Sequence, residues 1–533
     1  MRILFSLVFL LNHFLVAAQN TQVFERTNGV IEIKTQHAPM TLIGNSAKNA
    51  FISYGAMSPT GMVKLTLVKT ESGLMHEYKM IKFGKEKRWP CAAFMLNSKL
   101  YIVYTANVRK ASRLIYYVYE INTQTLELGT EAKKILDFTY TNRFEELAAI
   151  NGFQVSGTQN HGVVFWFCTP QITPGAFYVQ PTGNYTMHFF FCNNELNLER
   201  SPLCDVPVTS EFRQEIVSPG GSMYFLFQDK GANANAGTTS PFKVLKLDAA
   251  GNVKNEKFGL PDQDIVDAKL VMNKKGELQV AGYCLSEKNE KLFNVFTAAF
   301  DTNSLEIHHV KVSASNLVPG ADESKNGDMN YYLKEVLFDG AGNLYVVGEQ
   351  YKQHIWVSYA PVTNRFNFGA INLTTTRMEA TGEERTYDYG DVFVTCLPAS
   401  TFEAKTTRIG KMQEISESVV PFASFMAKPS AKTGIDILFN SFAEGDFSRD
   451  ERYVNDKSRK KELVYKLVQV NATCEKTTKK YLCDLHENTE SRVPLGYYCK
   501  NRLVINEHQL LPDGSCLIVV NEPGYGKKVF VWK

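Results

Sequence analysis

Hydrophobic positions along the chain recur in short alternating or wholly apolar runs bounded by turn residues, and long helical periods are nearly absent. Period-two alternation and short apolar runs between turns are the mark of strands. The clearest unit begins near residue 92. Segment 92–96 (AAFML) is one strand, and a turn at Asn97-Ser98 leads to 99–106 (KLYIVYTA). Segment 113–121 (RLIYYVYEI) follows, and a turn at Asn122-Thr123 leads to 126–135 (LELGTEAKKI). Tyr, Val and Ile dominate the two middle strands, as expected where both sheet faces are buried.

The same order of four strands returns over 211–258, 267–312, 331–409 and 422–478, with less regular copies over 51–83 and 146–203. A last unit, 502–532, shows only three strands, while 30–35 (VIEIKT) stands alone near the N-terminus. Four antiparallel strands are the unit of a propeller blade, and a ring covers both apolar faces of every blade. The expected fold is all-β, a single β-propeller of four-stranded blades, with eight blades favoured and seven next. Segment 30–35 is expected to complete the last blade and close the ring between the chain ends. Two stacked β domains are the alternative.

Connection lengths add a polarity. With strands a to d running outward, the b–c and d–a connections emerge on one face, and a–b and c–d on the other. The a–b turns (218–222, 273–276, 339–342, 512–514) and c–d turns (122–125, 248–252, 301–304) are short. The long excursions are b–c (169–185, 229–240, 351–389, 443–460) and d–a (313–330, 479–500). One plain face and one elaborated face follow, and long loops in compact proteins are often functional.

Composition narrows the function classes. The chain has 533 residues, 44% hydrophobic and 12% aromatic, too apolar for a disordered chain. Lys plus Arg is 58 against 55 for Asp plus Glu, a formal charge of +3, which argues against nucleic acid as the main partner. Met1 and Arg2 precede an apolar run, 3–16, followed by Ala17 and Ala18. This pattern predicts a signal peptide over 1–18 and an exported mature chain, periplasmic or extracellular, with no later membrane span. Domain 19–533 is then the propeller, with long insertions near 169–185, 351–389 and 443–460. Export permits disulfides, and one or two are expected inside the groups Cys168/Cys192/Cys204 and Cys474/Cys483/Cys499/Cys516. No tight Cys-x-x-Cys pair or nearby His pair completes a zinc set, so no metal or other cofactor is expected.

The 351–389 insertion carries the richest chemistry. His354, Trp356, Tyr359 and Arg365 lie in it, with Tyr387 and Tyr389 near its end. Aromatic rings beside Arg suit a sugar face, a peptide or a protein surface, and a local core is the plainer reading. Glu349 ends a b strand at the insertion, and Asp388 and Asp391 re-enter the blade beside it. Paired carboxylates at a suitable separation serve glycoside hydrolysis or calcium binding. His308-His309 is the one adjacent His pair, and neighbouring strand residues are expected on opposite faces. There is no phosphate loop, His-Glu-x-x-His or Gly-x-Ser-x-Gly motif. Two function classes remain. One is a binding or scaffold protein that holds a protein or glycan partner on the long-loop face. The other is a polysaccharide hydrolase or lyase with carboxylates at the axial mouth.

Segments 335–351 (EVLFDGAGNLYVVGEQY) and 389–413 (YGDVFVTCLPASTFEAKTTRIGKMQ), with the insertion between them, resemble a blade of uncharacterised exported β-propeller-like proteins of Bacteroidota. Leu397-Pro398-Ala399-Ser400 replaces that group's usual Asp- and Gly-containing turn. Segment 278–306 is similar to the preceding blade of the same group. The resemblance implies export and repeated β architecture, and carries no activity.

Overall fold

The computed structural model describes residues 24–532 apart from 27–39, 172–183, 230–241, 318–329, 417–423, 443–453, 456–462, 483–501 and shorter turns. The expected signal peptide over 1–18 and the strand expected over 30–35 lie outside the described residues.

The described strands form eight sheets, one for each predicted repeat. Sheet 1 holds Met40–Asn45, Ala50–Ser58, Gly61–Lys69 and Leu74–Lys79. Sheet 2 holds Ile81–Phe83, Glu86–Leu96, Lys99–Val108, Arg113–Ile121 and Leu128–Thr139. Sheet 3 holds Gln154–Thr158, Gly162–Pro170, Asn184–Cys192, Leu198–Arg200 and Leu203–Pro207. Sheet 4 holds Ser210–Val217, Met223–Asp229, Phe242–Leu247 and Val253–Phe258. Sheet 5 holds Gln263–Met272, Leu278–Ser286, Asn289–Phe300 and Ile307–Leu317. Sheet 6 holds Asn330–Phe338, Leu344–Phe368, Ile371–Leu397, Lys405–Ile409, Gln413–Ser416 and Val454–Asn455. Sheet 7 holds Met426–Pro429, Ile435–Phe442, Leu463–Val470 and Lys476–Leu482. Sheet 8 holds Arg502–Leu510, Cys516–Glu522, Gly526–Trp532 and, outermost, Phe24–Arg26.

The fourth strand of sheet 8 comes from earlier in the chain than the segment expected to supply it. Phe24–Arg26 pairs antiparallel with Trp532–Phe530 and gives sheet 8 the fourth strand its own sequence lacks. Burial follows strand position. In sheet 4 the middle strands Met223–Asp229 and Phe242–Leu247 are buried almost throughout. Ser210–Val217 is half-buried, and the outer Val253–Phe258 is mostly exposed. Middle strands have neighbouring sheets on both faces, so both faces of their side chains leave water.

Continuous hydrophobic cores join sheets 1 and 2, 2 and 3, 3 and 4, 4 and 5, 5 and 6, and 6 and 7. Leu510 of sheet 8 packs on the core between sheets 6 and 7, and Lys428 of sheet 7 lies over the Trp532 ring. First strands of consecutive sheets touch, and Arg502–Leu510 of sheet 8 touches Met40–Asn45 of sheet 1. Sheets 1, 2, 4, 5 and 6 share a β-bulge in the first strand, at positions 43, 91, 213, 266 and 334. A bulge twists the strand and re-aims its side chains. At two of these positions the bulged side chain turns to the following sheet, Arg213 to Asp267 and Lys334 to Ser424.

The c–d turns repeat a second device. Leu126, Leu196 and Leu305 adopt left-handed backbone conformations, at φ 59°, 61° and 61°. Each Leu side chain joins the core shared with the preceding sheet. Burial of a Leu side chain, worth about 1.5–3 kcal/mol, offsets the left-handed cost of about 1–2 kcal/mol. Cys474 holds the same place in sheet 7, at φ 65°, and bonds covalently to Cys396 of sheet 6. This is the described disulfide, and it lies outside the expected pairings. Cys168 and Cys204 face the same residue, Met187, from opposite sides, so a whole strand separates them. Cys168, Cys192 and Cys204 are free thiols, and Cys483 and Cys499 lie outside the described residues.

The helix Arg143–Asn151, between sheets 2 and 3, was not legible as a period. Its start is nonetheless local chemistry: Asn142 accepts from the Phe144 and Glu145 amides, and Glu145 folds back onto the Thr141 amide.

Candidate functional site

The 351–389 insertion is not a loop. Leu344–Phe368 and Ile371–Leu397 pair along their length as one two-stranded ribbon, from Leu344↔Leu397 to Phe368↔Ile371. Alternating β-formers such as YKQHIWVSY opposite RTYDY extend the blade strands instead of leaving them. Gln413–Ser416 adds to the ribbon's root beside Tyr389–Thr386, and Val454–Asn455 adds in parallel to Gln413 and Glu414. Of the 443–460 excursion only Val454–Asn455 is described, and it meets the ribbon's root at this end of sheet 6.

Period-two geometry sorts the root of the ribbon into two faces. One carries Tyr351 opposite Tyr389, Gln353 opposite Tyr387 and Ile355 opposite Arg385. Tyr351 stacks near Tyr387 with ring centroids 6.3 Å apart and tilts against Tyr389 at 5.2 Å. Ile355 and Val357 are exposed on the same face. The other face carries His354 and Asp388, with Nε2 and Oδ2 2.7 Å apart. Trp356, Tyr359 and Arg365 sit farther out, opposite Glu384, Ala380 and Thr374, and only their backbone is described.

Below the root lies a buried polar network. Glu349, 1% exposed, accepts from Lys411 Nζ and from Ser424 Oγ. Lys411 also donates to Gln413 Oε1 at 3.1 Å, and Gln413 in turn accepts from the Ser424 amide and donates to the Asn440 carbonyl. Lys334 Nζ donates to Ser424 Oγ at 2.8 Å. Burial pushes the pKa of Lys411 below its ordinary 10.5 despite the neighbouring Glu349 charge, and burial does the same to Lys334. Asp391 is held by Arg408 and by the Lys411 amide at 3.0 Å. The expected carboxylate constellation is therefore divided: Glu349 pairs with Lys411, Asp391 with Arg408, and Asp388 hydrogen-bonds with His354. Sheet pairing separates them, since Glu349 sits opposite Val392 while Asp388 sits opposite Lys352.

The first strands bring further charge to the same end. Arg213 Nη2 meets Asp267 Oδ1 at 2.9 Å, and Lys269 Nζ lies 3.8 Å from Glu335. Tyr332, two residues into its strand, is 50% exposed among the charges of Asp267, Arg213, Glu335 and Glu349. Sequence reading missed Tyr332, Arg213 and Lys334. The signal available was their common register near the start of first strands. The His308-His309 pair also departs from expectation: a bulge with His309 at φ 53° brings the two exposed rings to 4.8 Å, not to opposite faces. Among the described residues no group of three or more His, Cys, Asp or Glu is placed to hold a metal ion. No helix among them is long and apolar enough to cross a membrane.

No protein-family model matches the chain, and no curated protein matches it significantly. Solved structures resemble it distantly. A puromycin-hydrolyzing peptidase of Mycobacterium tuberculosis matches at TM-score 0.35 and 10% identity, over 93% of this chain and 60% of the peptidase, so the chain spans under two thirds of that relative. The polysaccharide lyase Uly1 matches at TM-score 0.35 and 10% identity, over 83% of this chain and 88% of the lyase. The β-propeller domain of the Trilobed protease from Pyrococcus furiosus matches at TM-score 0.29 and 10% identity, over 71% and 98%. These likenesses are too distant to assign an activity.

Proposed function

We propose that the eight sheets are the blades of one closed propeller, and that the face bearing the ribbon holds a protein or glycan partner outside the cytoplasm. Ring closure is supported by the unbroken series of first-strand contacts and by Phe24–Arg26 pairing with the last strand of the chain. Binding rests on one observation: the Tyr351, Tyr387 and Tyr389 rings cluster at the root of a projecting ribbon that leaves Ile355 and Val357 exposed. Aromatic rings supply large contact area at low entropic cost, and exposed apolar residues rimmed by polar ones mark interaction sites. Export follows from reading 1–18 as a signal peptide.

A hydrolase or lyase reading has less support, because Glu349 and Asp391 are buried and already ion-paired. An array of glycans and peptides probed with the mature chain tests the binding reading. Wild type is expected to retain a subset of ligands, and Tyr351→Ala/Tyr387→Ala to lose it with an unchanged melting temperature. Equal retention by both would remove the tyrosine cluster from the account.

A further inference from the structure

One histidine stands where sheet 2, sheet 3 and the helix between them meet. Phe138 is one residue from the end of the outer strand of sheet 2, and Thr169 is one residue from the end of Gly162–Pro170 in sheet 3. The long connections leave the blades at this end, and the helix Arg143–Asn151 follows Phe138 there. His188, paired with Phe167 across the sheet, is half-buried among them. Its imidazole stacks on the Phe167 ring with centroids 5.0 Å apart and meets the Phe138 ring edge-on at 5.1 Å. The two phenyl rings also touch each other, at 4.9 Å. Phe138 and Phe167 belong to the core that joins the two sheets and takes in Ala149 of the helix. The imidazole is therefore the polar member of an apolar joint.

Its surroundings leave little room for a second proton. Nε2 lies 2.8 Å from Oγ1 of the buried Thr169. While the ring is neutral, either atom can donate. A protonated ring carries a hydrogen on both nitrogens, so the hydroxyl must accept and its own hydrogen loses this acceptor. Two charges face the ring, Glu145 from the helix and Asp205 from the outer strand of sheet 3, and both favour the proton. From sheet 2 it is the uncharged Phe138 that faces it. Stacking on the Phe167 face also favours a cation. Burial opposes these influences and prevails, holding the imidazole below its ordinary 6.5. We propose that His188 is an acid-sensitive pin: neutral, it holds sheet 2, sheet 3 and their helix together at the long-loop face, and protonated, it loosens that joint. A group that the fold prefers neutral contributes fully above its unfolded value. The contribution falls as pH drops through 6.5 towards the folded value. The inference goes beyond the proposed binding face and holds whatever that face carries.

The test is deuterium exchange read by mass spectrometry at pH 7.5 and pH 5, with exchange times scaled for the intrinsic rate. The proteins are wild type and His188→Phe, which keeps an aromatic ring and cannot take a proton. In wild type, segments 128–151 and 184–192 are expected to open more readily at pH 5, by up to about tenfold for each pH unit over which His188 titrates. Segment 278–286 of sheet 5 should not change. In His188→Phe the acid-dependent opening should disappear. Should His188→Phe fold poorly, His188→Gln decides in its place, since it also cannot titrate and must show the same flat profile. A second reading comes from a pH titration of wild type carrying carbon-13 histidine. One imidazole, missing from the variant's spectrum, should titrate below 6.5. Equal opening in the variants, equal loosening of segment 278–286, or a His188 that titrates at or above 6.5 would overturn the inference. Ligand retention on the glycan and peptide array at pH 7.5 decides the binding reading separately, so either proposal can fail while the other stands.

Discussion

Asp339 closes the turn before Leu344 and also reaches the next sheet. Its carboxylate accepts from the Ala341 and Asn343 amides, Asn343 Nδ2, Tyr345 OH and, across the interface, the Gly434 amide, at 2.9–3.1 Å. Burial pushes its pKa up, but these bonds outweigh it and hold the carboxyl below its ordinary 3.8. A depressed carboxylate stabilises the fold above its unfolded pKa and loses that contribution as pH falls through the folded value. Asp339→Asn is therefore expected to lose about 1.5–3 kcal/mol at pH 7. It should also show a shallower fall in stability below pH 4 than wild type, both read from urea unfolding. Lys411 gives a second test at this scale. Lys411→Met leaves Glu349 buried without its cation and should cost about 3–5 kcal/mol, part of which Lys411→Met/Glu349→Gln regains. No recovery in the double variant would mean that the pair is not coupled as described.

The disulfide and the ribbon are the elements with the clearest consequences. Cys396 and Cys474 are 78 residues apart, and closing a loop of that length stabilises by about 4 kcal/mol in the chain-entropy account. Cys474→Ser should lower the unfolding free energy by about 2–4 kcal/mol, and a reductant should then have little further effect. An unchanged midpoint would count against the bond. Replacing 353–387 with Asn-Gly keeps Tyr351 opposite Tyr389 and the whole buried part of sheet 6. Unfolding is expected to stay within about 1 kcal/mol of wild type, as for changes away from cores and caps, while array binding disappears. The eight strand groups were legible because each repeat alternates and ends in turn residues. The ribbon was legible as an insertion but not as strands, since its polar faces carry no core signal. The helix Arg143–Asn151 and the first-strand bulges were hidden. A single short capped helix and a one-residue slip both leave the hydrophobic period nearly unchanged. At the site, the sequence pointed to Glu349, His354 and Asp388 but not to the partners of Glu349, because Lys411 and Ser424 come from connections whose approach depends on the packing of sheets 6 and 7.

At the scale of the whole molecule, each sheet covers a face of the next, so stability is shared between neighbours and the ends are the weak point. Phe24–Arg26 relieves that weakness by lending its strand to sheet 8. Removing residues up to 27 should lower the melting temperature and make sheet 8 the first to exchange its amide hydrogens, as mass spectrometry would show. The claim on which the rest depends is that all eight sheets belong to one closed disc. Solution X-ray scattering from the mature chain measures this most directly. A single compact body of this length has a radius of gyration of about 23–24 Å, with one maximum in its distance distribution. A markedly larger radius with a second maximum or shoulder would contradict the closed disc and leave two bodies in its place.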